Sequence, residues 1–89
     1  MSSPKSWDLQ VDRSVAKELK RFPRHDVMAI LEVIRLLSVD PFFGDIQKMK
    51  GVEHIWRRRI GSYRLFYKLD VFKRIILVFR VERRTSKTY

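Results

Sequence analysis

Apolar and polar side chains alternate near the start of the chain and then recur at a helical spacing. Residues 7–11 read Trp-Asp-Leu-Gln-Val, and this alternation is typical of a half-buried strand. Apolar residues next recur at intervals of four and three, which predicts an amphipathic helix with either Asp12 or Ser14 as its N-cap. Pro23 ends that helix, because proline has no backbone N–H to donate. Its apolar stripe is Val15, Leu19 and Phe22.

A second helix follows almost at once. It begins near Arg24 to Asp26 and ends before Asp40, because a residue that precedes proline disfavours helical angles and Pro41 comes next. The short connection makes the two helices antiparallel neighbours. The apolar stripe of the second helix is Val27, Ile30, Leu31, Ile34 and Leu37.

The rest of the chain is a succession of strand patterns and turns. Two strands joined by the turn residues Gly61 and Ser62 predict a hairpin. A later strand is apolar and β-branched, which is typical of a central position in a sheet. In chain order we expect a loop over 42–45, a short extended or irregular link over 46–51, strands over 55–60 and 63–69, a turn over 70–73, a strand over 74–81 and a polar tail over 82–89.

These elements predict a single α+β domain spanning residues 1–89, in the order β-α-α-β-β-β. We expect two antiparallel N-terminal helices on one face of a mostly antiparallel four-stranded sheet, because that arrangement buries both apolar stripes at once. The other face of the sheet is then free. Side chains alternate across a strand, so Arg57 and Arg59 point to the free face if Trp56 meets the helices. Arg58 then lies on the helix side, where we expect it to reach an edge or pair with an acid.

Charge is distributed unevenly along the chain, and this changes what the free face is expected to bind. Of the 20 Lys and Arg residues and the 10 Asp and Glu residues, residues 48–89 hold 13 bases and three acids. That half therefore accounts for the entire formal charge of +10, and such a field attracts polyanions, nucleic acid above all. Aromatic side chains lie between the bases, and rings beside cations can stack on nucleotide bases, which favours RNA or single strands over a duplex. The alternative is a basic surface that only prevents association.

Composition also removes several classes of function. The chain has no cysteine, so it has neither a disulfide framework nor a thiolate metal site. His25 and His54 are isolated, and we expect no cofactor and no metal. No apolar run approaches the roughly 18 residues of a membrane span, and the N-terminus lacks the apolar stretch of a signal peptide. We therefore expect a cytoplasmic protein with no membrane contact.

The most specific motif of the chain lies in the predicted hairpin. Residues 61–67 read Gly-Ser-Tyr-Arg-Leu-Phe-Tyr, which is a Gly-x-Tyr-Arg-x-x-Tyr pattern, and residues 50–51, 56–60 and 81–84 and a closing Tyr89 accompany it. Together these segments resemble the RelE/ParE superfamily of bacterial and archaeal toxins. The resemblance covers the whole chain, and it implies the RelE-like version of the fold predicted above.

The resemblance implies one of two activities, because the superfamily divides in two. RelE-like members enter the ribosomal A site and cut mRNA, whereas ParE-like members share the fold and inhibit DNA gyrase without nuclease residues. We expect the first activity: an endoribonuclease (mRNA interferase) of a type II toxin-antitoxin system, which cleaves mRNA by 2′-hydroxyl attack on the scissile phosphate and so inhibits translation. The alternatives are a ParE-like gyrase inhibitor and a catalytically weakened toxin that acts mainly through antitoxin binding. The fold does not distinguish these activities, so they have to be distinguished by the residues of the site.

By position, the residues that surround the scissile phosphate in RelE-like toxins correspond here to two strand arginines, the hairpin arginine, an arginine after the last strand and a C-terminal tyrosine. Guanidinium groups suit such a site because they bind phosphate oxygens bidentately and stabilise negative charge. Either Arg83 or Arg84 is the second clamp, and Tyr89 either stacks on a base or assists proton transfer. The implied catalytic residues are Arg57, Arg59, Arg64, Arg83, Arg84 and Tyr89. The implied RNA-binding residues are Lys48, Lys50, Arg57, Arg59, Arg64, Arg84 and Lys87.

The group that accepts the 2′-hydroxyl proton stays open. The best-known RelE-like members have lysines where this chain has Arg57 and Arg59, and arginine stays protonated, so both are poor bases. Some relatives supply a carboxylate from the link before the strand, but the corresponding residue here is Gln47. Glu82 is the sequence neighbour of Arg83, and a carboxylate that is paired with an arginine has a low pKa and is a weak base. The nearby carboxylates are Glu53 and Glu82.

The resemblance also implies partners. Toxins of this kind look like those encoded beside an unstable acidic antitoxin, and a disordered acidic chain is suited to wrapping a basic surface. We therefore expect a cognate acidic antitoxin, mRNA in the ribosomal A site and, through the antitoxin complex, operator DNA.

Overall fold

The computed structural model describes residues 7–51 and 53–83. Its elements, in chain order, are β1 (Asp8–Val11), α1 (Arg13–Leu19), α2 (Arg24–Leu37), β2 (Ile46–Lys48), β3 (Ile55–Ile60), β4 (Tyr63–Asp70) and β5 (Ile75–Arg83). Three residues that the sequence proposes for the site, Arg84, Lys87 and Tyr89, lie outside the described residues. Neither α1 nor α2 is long and apolar enough to cross a membrane.

The strands of the described segments form one sheet in the order β1-β5-β4-β3-β2. β1 runs parallel to β5, and the other neighbours are antiparallel. The predicted architecture, two helices on a mostly antiparallel sheet, is confirmed, but the predicted count of four strands is wrong. Ile46–Lys48, expected as a link, is a fifth strand at the edge. It was missed because a segment this short shows too little alternation, and its pairing with β3 makes it a strand.

The two helices begin at residues suited to that role. Asp12 caps α1, because its carboxylate accepts hydrogen bonds from the backbone N–H of Ser14, at 3.0 Å, and from the Ser14 hydroxyl. These bonds lower the pKa of Asp12, and of the two caps that the sequence allows, Asp12 is the one used. Val15 and Leu19 are the buried residues of α1, and Pro23 stands at the N-cap of α2.

The core lies between the helices and one face of the sheet. Leu31, predicted in the apolar stripe of α2, is 46% exposed, whereas Val33, outside that stripe, is only 9% exposed. The buried face of α2 is therefore turned slightly from the predicted one. Each fully buried aliphatic side chain contributes roughly 1.5–3 kcal/mol. The largest fully buried side chains, six aliphatic and one aromatic, are Ile30, Leu37, Leu65, Ile76, Val15, Val78 and Tyr67.

A bulge in β5 decides which of its side chains reach which face. The register pairs Phe66 with Arg80 and Tyr67 with Val78. Phe79 therefore has no partner of its own, and the alternation of β5 is reversed beyond it. Val78 and Val81 are both buried towards the helices although they lie three residues apart. Arg83 consequently falls on the helix side and Glu82 on the free face.

Two buried tyrosines tie the sheet to the helical layer. The Tyr67 hydroxyl donates to the carbonyl oxygen of Pro41 at 2.8 Å, and burial raises the pKa of Tyr67 to about 12. The Tyr63 hydroxyl donates to the carboxylate of Asp26 at 2.6 Å, and burial together with this hydrogen bond raises the pKa of Tyr63. These bonds satisfy polar groups that would otherwise be costly to bury.

Candidate functional site

The face of the sheet turned away from the helices collects charged side chains. Arg59 of β3 pairs with Arg64 of β4, and residues directly opposite each other in a sheet lie on the same face. Arg57 lies between Gln47 of β2 and Phe66 of β4 in the same way. The alternation along β3 therefore places Arg57 and Arg59 on the free face, as the sequence predicts.

Five side chains from three adjoining segments line one cleft on this face. Its volume is about 150 Å³, about half the smallest volume, around 300 Å³, of a pocket for a drug-sized ligand. The size suits a single anionic group such as a phosphate. Three guanidinium groups against one carboxylate leave the cleft positive. The lining residues are Asp45, Gln47, Arg57, Arg59 and Arg64.

Contacts inside the cleft hold its arginines only loosely. Arg57 donates through Nη2 to Oε1 of Gln47, and Nε of Arg59 lies 4.0 Å from Oδ2 of Asp45. Exposed pairs of this kind contribute at most about 1 kcal/mol. Within residues 7–51 and 53–83, no hydrogen bond or ion pair engages the Arg64 guanidinium. The three groups are therefore available to an anion.

The loop before β2 is held from the opposite side of the sheet by Arg58. Its Nη1 donates to the carbonyl oxygen of Phe43 at 3.0 Å, and its guanidinium lies 4.3 Å from the centre of the Phe43 ring. Gly44 adopts a φ of 90° and packs directly on this guanidinium. Of the two expected alternatives for Arg58, pairing with an acid is not observed among the described residues: its side chain reaches the loop before the edge strand β2, where a backbone carbonyl and a ring receive its charge. This anchor positions the next residue, Asp45, at the cleft.

An aromatic patch adjoins the cleft on the free face. The rings of Phe66 and Phe79 lie 6.4 Å apart, with the Arg80 guanidinium 5.5 Å from the first ring and the Lys68 ammonium 5.8 Å from the second. Arg80 also donates to the carboxylate of Glu82 at 2.6 Å. Glu82 is thus paired with Arg80. The sequence alone had suggested pairing with its sequence neighbour Arg83 instead.

Several other predicted site residues lie away from the cleft. Arg83 pairs in register with Tyr63, and its guanidinium lies 5.8 Å from the centre of that buried ring, on the helix side. Lys48 pairs with Trp56, which also belongs to the helix side, and Lys50 lies in the turn that follows β2. The structure therefore brings Arg57, Arg59 and Arg64 together in the cleft. The other three predicted residues lie away from it.

Asp45 is the residue of the cleft that the sequence reading did not consider. Its carbonyl oxygen accepts from the backbone N–H of Arg59 at 3.0 Å, which continues the pairing of β2 with β3 by one residue. Asp45 and Gln47 therefore share a face, as residues two apart in a strand do. Reading residues 45–48 as a strand opposite β3 would have placed both at Arg57 and Arg59.

The fold and the site together define a class of protein. It is a small basic α+β protein whose exposed sheet face carries an arginine cleft of a size that suits one anion. The profile of the family described as "ParE toxin of type II toxin-antitoxin system, parDE" matches residues 9–87. A protein described as toxin RelE1 from Methanocaldococcus jannaschii is 30% identical over 81 residues, which cover 88% of this chain and 90% of that protein. This chain belongs to the RelE/ParE superfamily, the toxins of type II toxin-antitoxin systems.

Solved structures share the fold at lower identity. The toxin of the archaeal RelE-RelB complex from Pyrococcus horikoshii OT3 superposes with a TM-score of 0.80 at 22% identity, covering 92% of this chain and 99% of that one. The toxin-antitoxin complex RelBE2 from Mycobacterium tuberculosis gives a TM-score of 0.76 at 22% identity, covering 89% and 99%. These likenesses establish the shared fold.

Proposed function

We propose that this toxin is a ribosome-associated endoribonuclease that cuts mRNA in the A site and thereby stops translation. The cleavage is attack of a ribose 2′-hydroxyl on the neighbouring phosphate. Arg57, Arg59 and Arg64 bind the phosphate oxygens and stabilise the negative charge that grows on them in the transition state.

The observation that carries this proposal is the convergence of three guanidinium groups on one cleft of about 150 Å³. Arg57 and Arg59 come from β3 and Arg64 from β4, and neighbouring strands bring them to one place. Like charges repel, so such a cluster is stabilised most when an anion lies between them. The aromatic patch of Phe66 and Phe79 beside the cleft offers ring faces to adjoining nucleotides.

A direct test adds the purified toxin to translating ribosomes and maps mRNA 5′ ends. We expect cuts at defined codon positions that are lost in Arg64→Ala, and a product with a 2′,3′-cyclic phosphate. Arg24→Ala is the matched control, because it removes the same group from an exposed position at the start of α2, outside the cleft. Equal loss in both variants would show that the cleft is not the site.

A gyrase-inhibiting toxin is the second candidate. The observation that favours it is the composition of the cleft, which has no lysine or histidine among its described lining residues to move a proton. A DNA supercoiling assay run on the same protein separates the two. Loss of supercoiling without mRNA cuts supports the gyrase reading, and absence of both supports a weakened toxin that acts through its antitoxin.

We further propose a cognate acidic antitoxin as the partner that silences the toxin. The cleft and Lys68 make the free face of the sheet basic, and an acidic chain that covers it would offset this charge. Complex formation should therefore weaken with added salt and should block access of RNA to the cleft. Binding of operator DNA then belongs to the complex of toxin and antitoxin.

A further inference from the structure

We infer that Asp45 is the general base of the cleavage reaction, the group that takes the proton from the attacking 2′-hydroxyl. This inference rests on the proposed nuclease function and names a catalytic residue within that site.

Two contacts of the fold hold Asp45 in position. Its backbone is held by the hydrogen bond from Arg59, and the preceding residue, Gly44, is packed against Arg58. The carboxylate itself makes only a long contact, 4.0 Å, to Nε of Arg59, and its side chain is 69% exposed. A fixed backbone and a loosely held carboxylate leave its oxygens free to accept a proton from a bound substrate.

No other carboxylate of residues 7–51 and 53–83 lines the cleft. Glu82, on the same face, is held by Arg80 at 2.6 Å. Asp26 accepts from Tyr63 on the helix side, and the Glu53 side chain is 88% exposed beside His54. The arginines of the cleft stay protonated and cannot take the proton. Asp45 is therefore the group in the described cleft with the chemistry for this step.

The 2′-hydroxyl proton passes to the Asp45 carboxylate while the 2′-oxygen bonds to phosphorus. The bond from phosphorus to the 5′-oxygen breaks, and this oxygen takes a proton from a water molecule of the exposed cleft. The products are a 2′,3′-cyclic phosphate and a 5′-hydroxyl, and Asp45 returns its proton to solvent.

The experiment measures single-turnover cleavage on ribosomes that carry a defined mRNA. A second mRNA with a 2′-deoxy nucleotide at the cut site reports binding without reaction. For Asp45→Asn we expect cleavage to slow by about 100-fold or more, which is the range of general-base catalysis, with affinity for the deoxy mRNA unchanged or tighter. Asp8→Asn is the matched control, because it makes the same substitution at an exposed position on the opposite edge of the sheet and should leave the rate unchanged.

A rescue measurement separates a base from a residue that only orients Arg59. Because the site is open to solvent, added formate should restore part of the activity of Asp45→Ala, and formamide should not. If Asp45→Asn cleaves as fast as wild type while Arg64→Ala does not cleave, the inference about Asp45 is wrong and the nuclease function stands. If the wild-type toxin cuts no mRNA, the proposed function fails, and this inference fails with it. Loss in Asp45→Ala without rescue by formate also counts against a base.

Discussion

Three consecutive arginines of β3 occupy two different environments. Arg57 and Arg59 line an open cleft, and the Arg59 side chain is 58% exposed. Arg58, between them, points to the helix side, where it binds the carbonyl oxygen and the ring of Phe43. Strand alternation thus divides one basic run into two surfaces. In a strand, neighbouring residues of the same type therefore lie on opposite faces and can have different roles.

The two environments also differ in what charge contributes. The cleft arginines hold positive charge where water screens it and an anion can reach it. Nε of Arg58 is buried without a hydrogen-bond partner among the described residues, which costs about 1–3 kcal/mol. The ring contact and the hydrogen bond to Phe43 offset that cost, and the side chain fills space beside Gly44. Arg58 is thus a structural residue, whereas its neighbours are candidates for chemistry.

The largest effect is expected when both cleft arginines of β3 are replaced. Arg57→Ala with Arg59→Ala should slow mRNA cleavage by about 1,000-fold, about 4 kcal/mol of transition-state stabilisation. The melting temperature should hardly change, because the two side chains make few contacts within the protein. Lys17→Ala with Lys20→Ala, on the exposed side of the helical layer, is the charge-matched control for cleavage on ribosomes.

Replacing Arg58, which lies between the two cleft arginines, should mainly lower the stability of the fold. Arg58→Ala should lower the free energy of unfolding by about 2–3 kcal/mol, since it removes the packing on Phe43 and the anchor of the loop. Urea denaturation measures this loss. Arg59→Ala should stay within about 0.5 kcal/mol of wild type in the same experiment. Equal losses at the two positions would contradict the division into two surfaces.

A smaller effect is expected at the glycine beneath Arg58. An alanine Cβ at Gly44 would lie 2.6 Å from Nη1 and 2.7 Å from Nη2 of Arg58, and the φ of 90° adds backbone strain. We expect Gly44→Ala to cost about 1–2 kcal/mol. Gly51→Ala is the control, since φ is 75° there but no atom lies within 4 Å of the added Cβ. If the clash matters, Gly44→Ala should cost more than this control, and the excess should vanish in the Arg58→Ala background.

The smallest effect concerns the second anchor of the same loop, the hydrogen bond from Tyr67 to Pro41. Tyr67→Phe should cost about 1 kcal/mol at neutral pH. The folded protein raises the pKa of Tyr67 from 10.0 to about 12, so its contribution is complete below pH 10 and is lost as the pH rises towards 12. Unfolding followed between pH 9 and 12, a range set by these values, should show a weaker alkaline loss in Tyr67→Phe than in wild type. Parallel alkaline profiles would refute this assignment.

Much of the fold was accessible from local patterns. Pro23 and Pro41 delimit the second helix, and the hairpin turn at Gly61 and Ser62 joins two strands with clear alternation. The position of Arg57 and Arg59 on the free face follows from the same alternation. Leu31 was predicted in the buried stripe and Val33 was not, because the buried side of α2 is decided by packing in the shared core, which is not visible in the helix's own pattern.

The candidate site was accessible only in part. Asp45 joins the cleft because residues 46–48 pair with β3, and three residues give too little alternation to predict that pairing. Arg83 lies with Tyr63 on the helix side because the bulge at Phe79 reverses the alternation of β5. An unbroken alternation would have kept Arg83 on the face opposite to Val78. Both positions depend on contacts between strands rather than on residue preferences.

By itself the sequence determined the class of fold, the basic second half and the arginines that share a face, since periodicity and charge are properties of neighbouring residues. The tertiary structure decided that Asp45 lies in the cleft, that Arg58 anchors a loop and that Arg83 lies on the other side. These outcomes depend on strand register and on one bulge. Register is set by hydrogen bonds and packing between distant segments, and a shift of one residue moves a side chain to the opposite face.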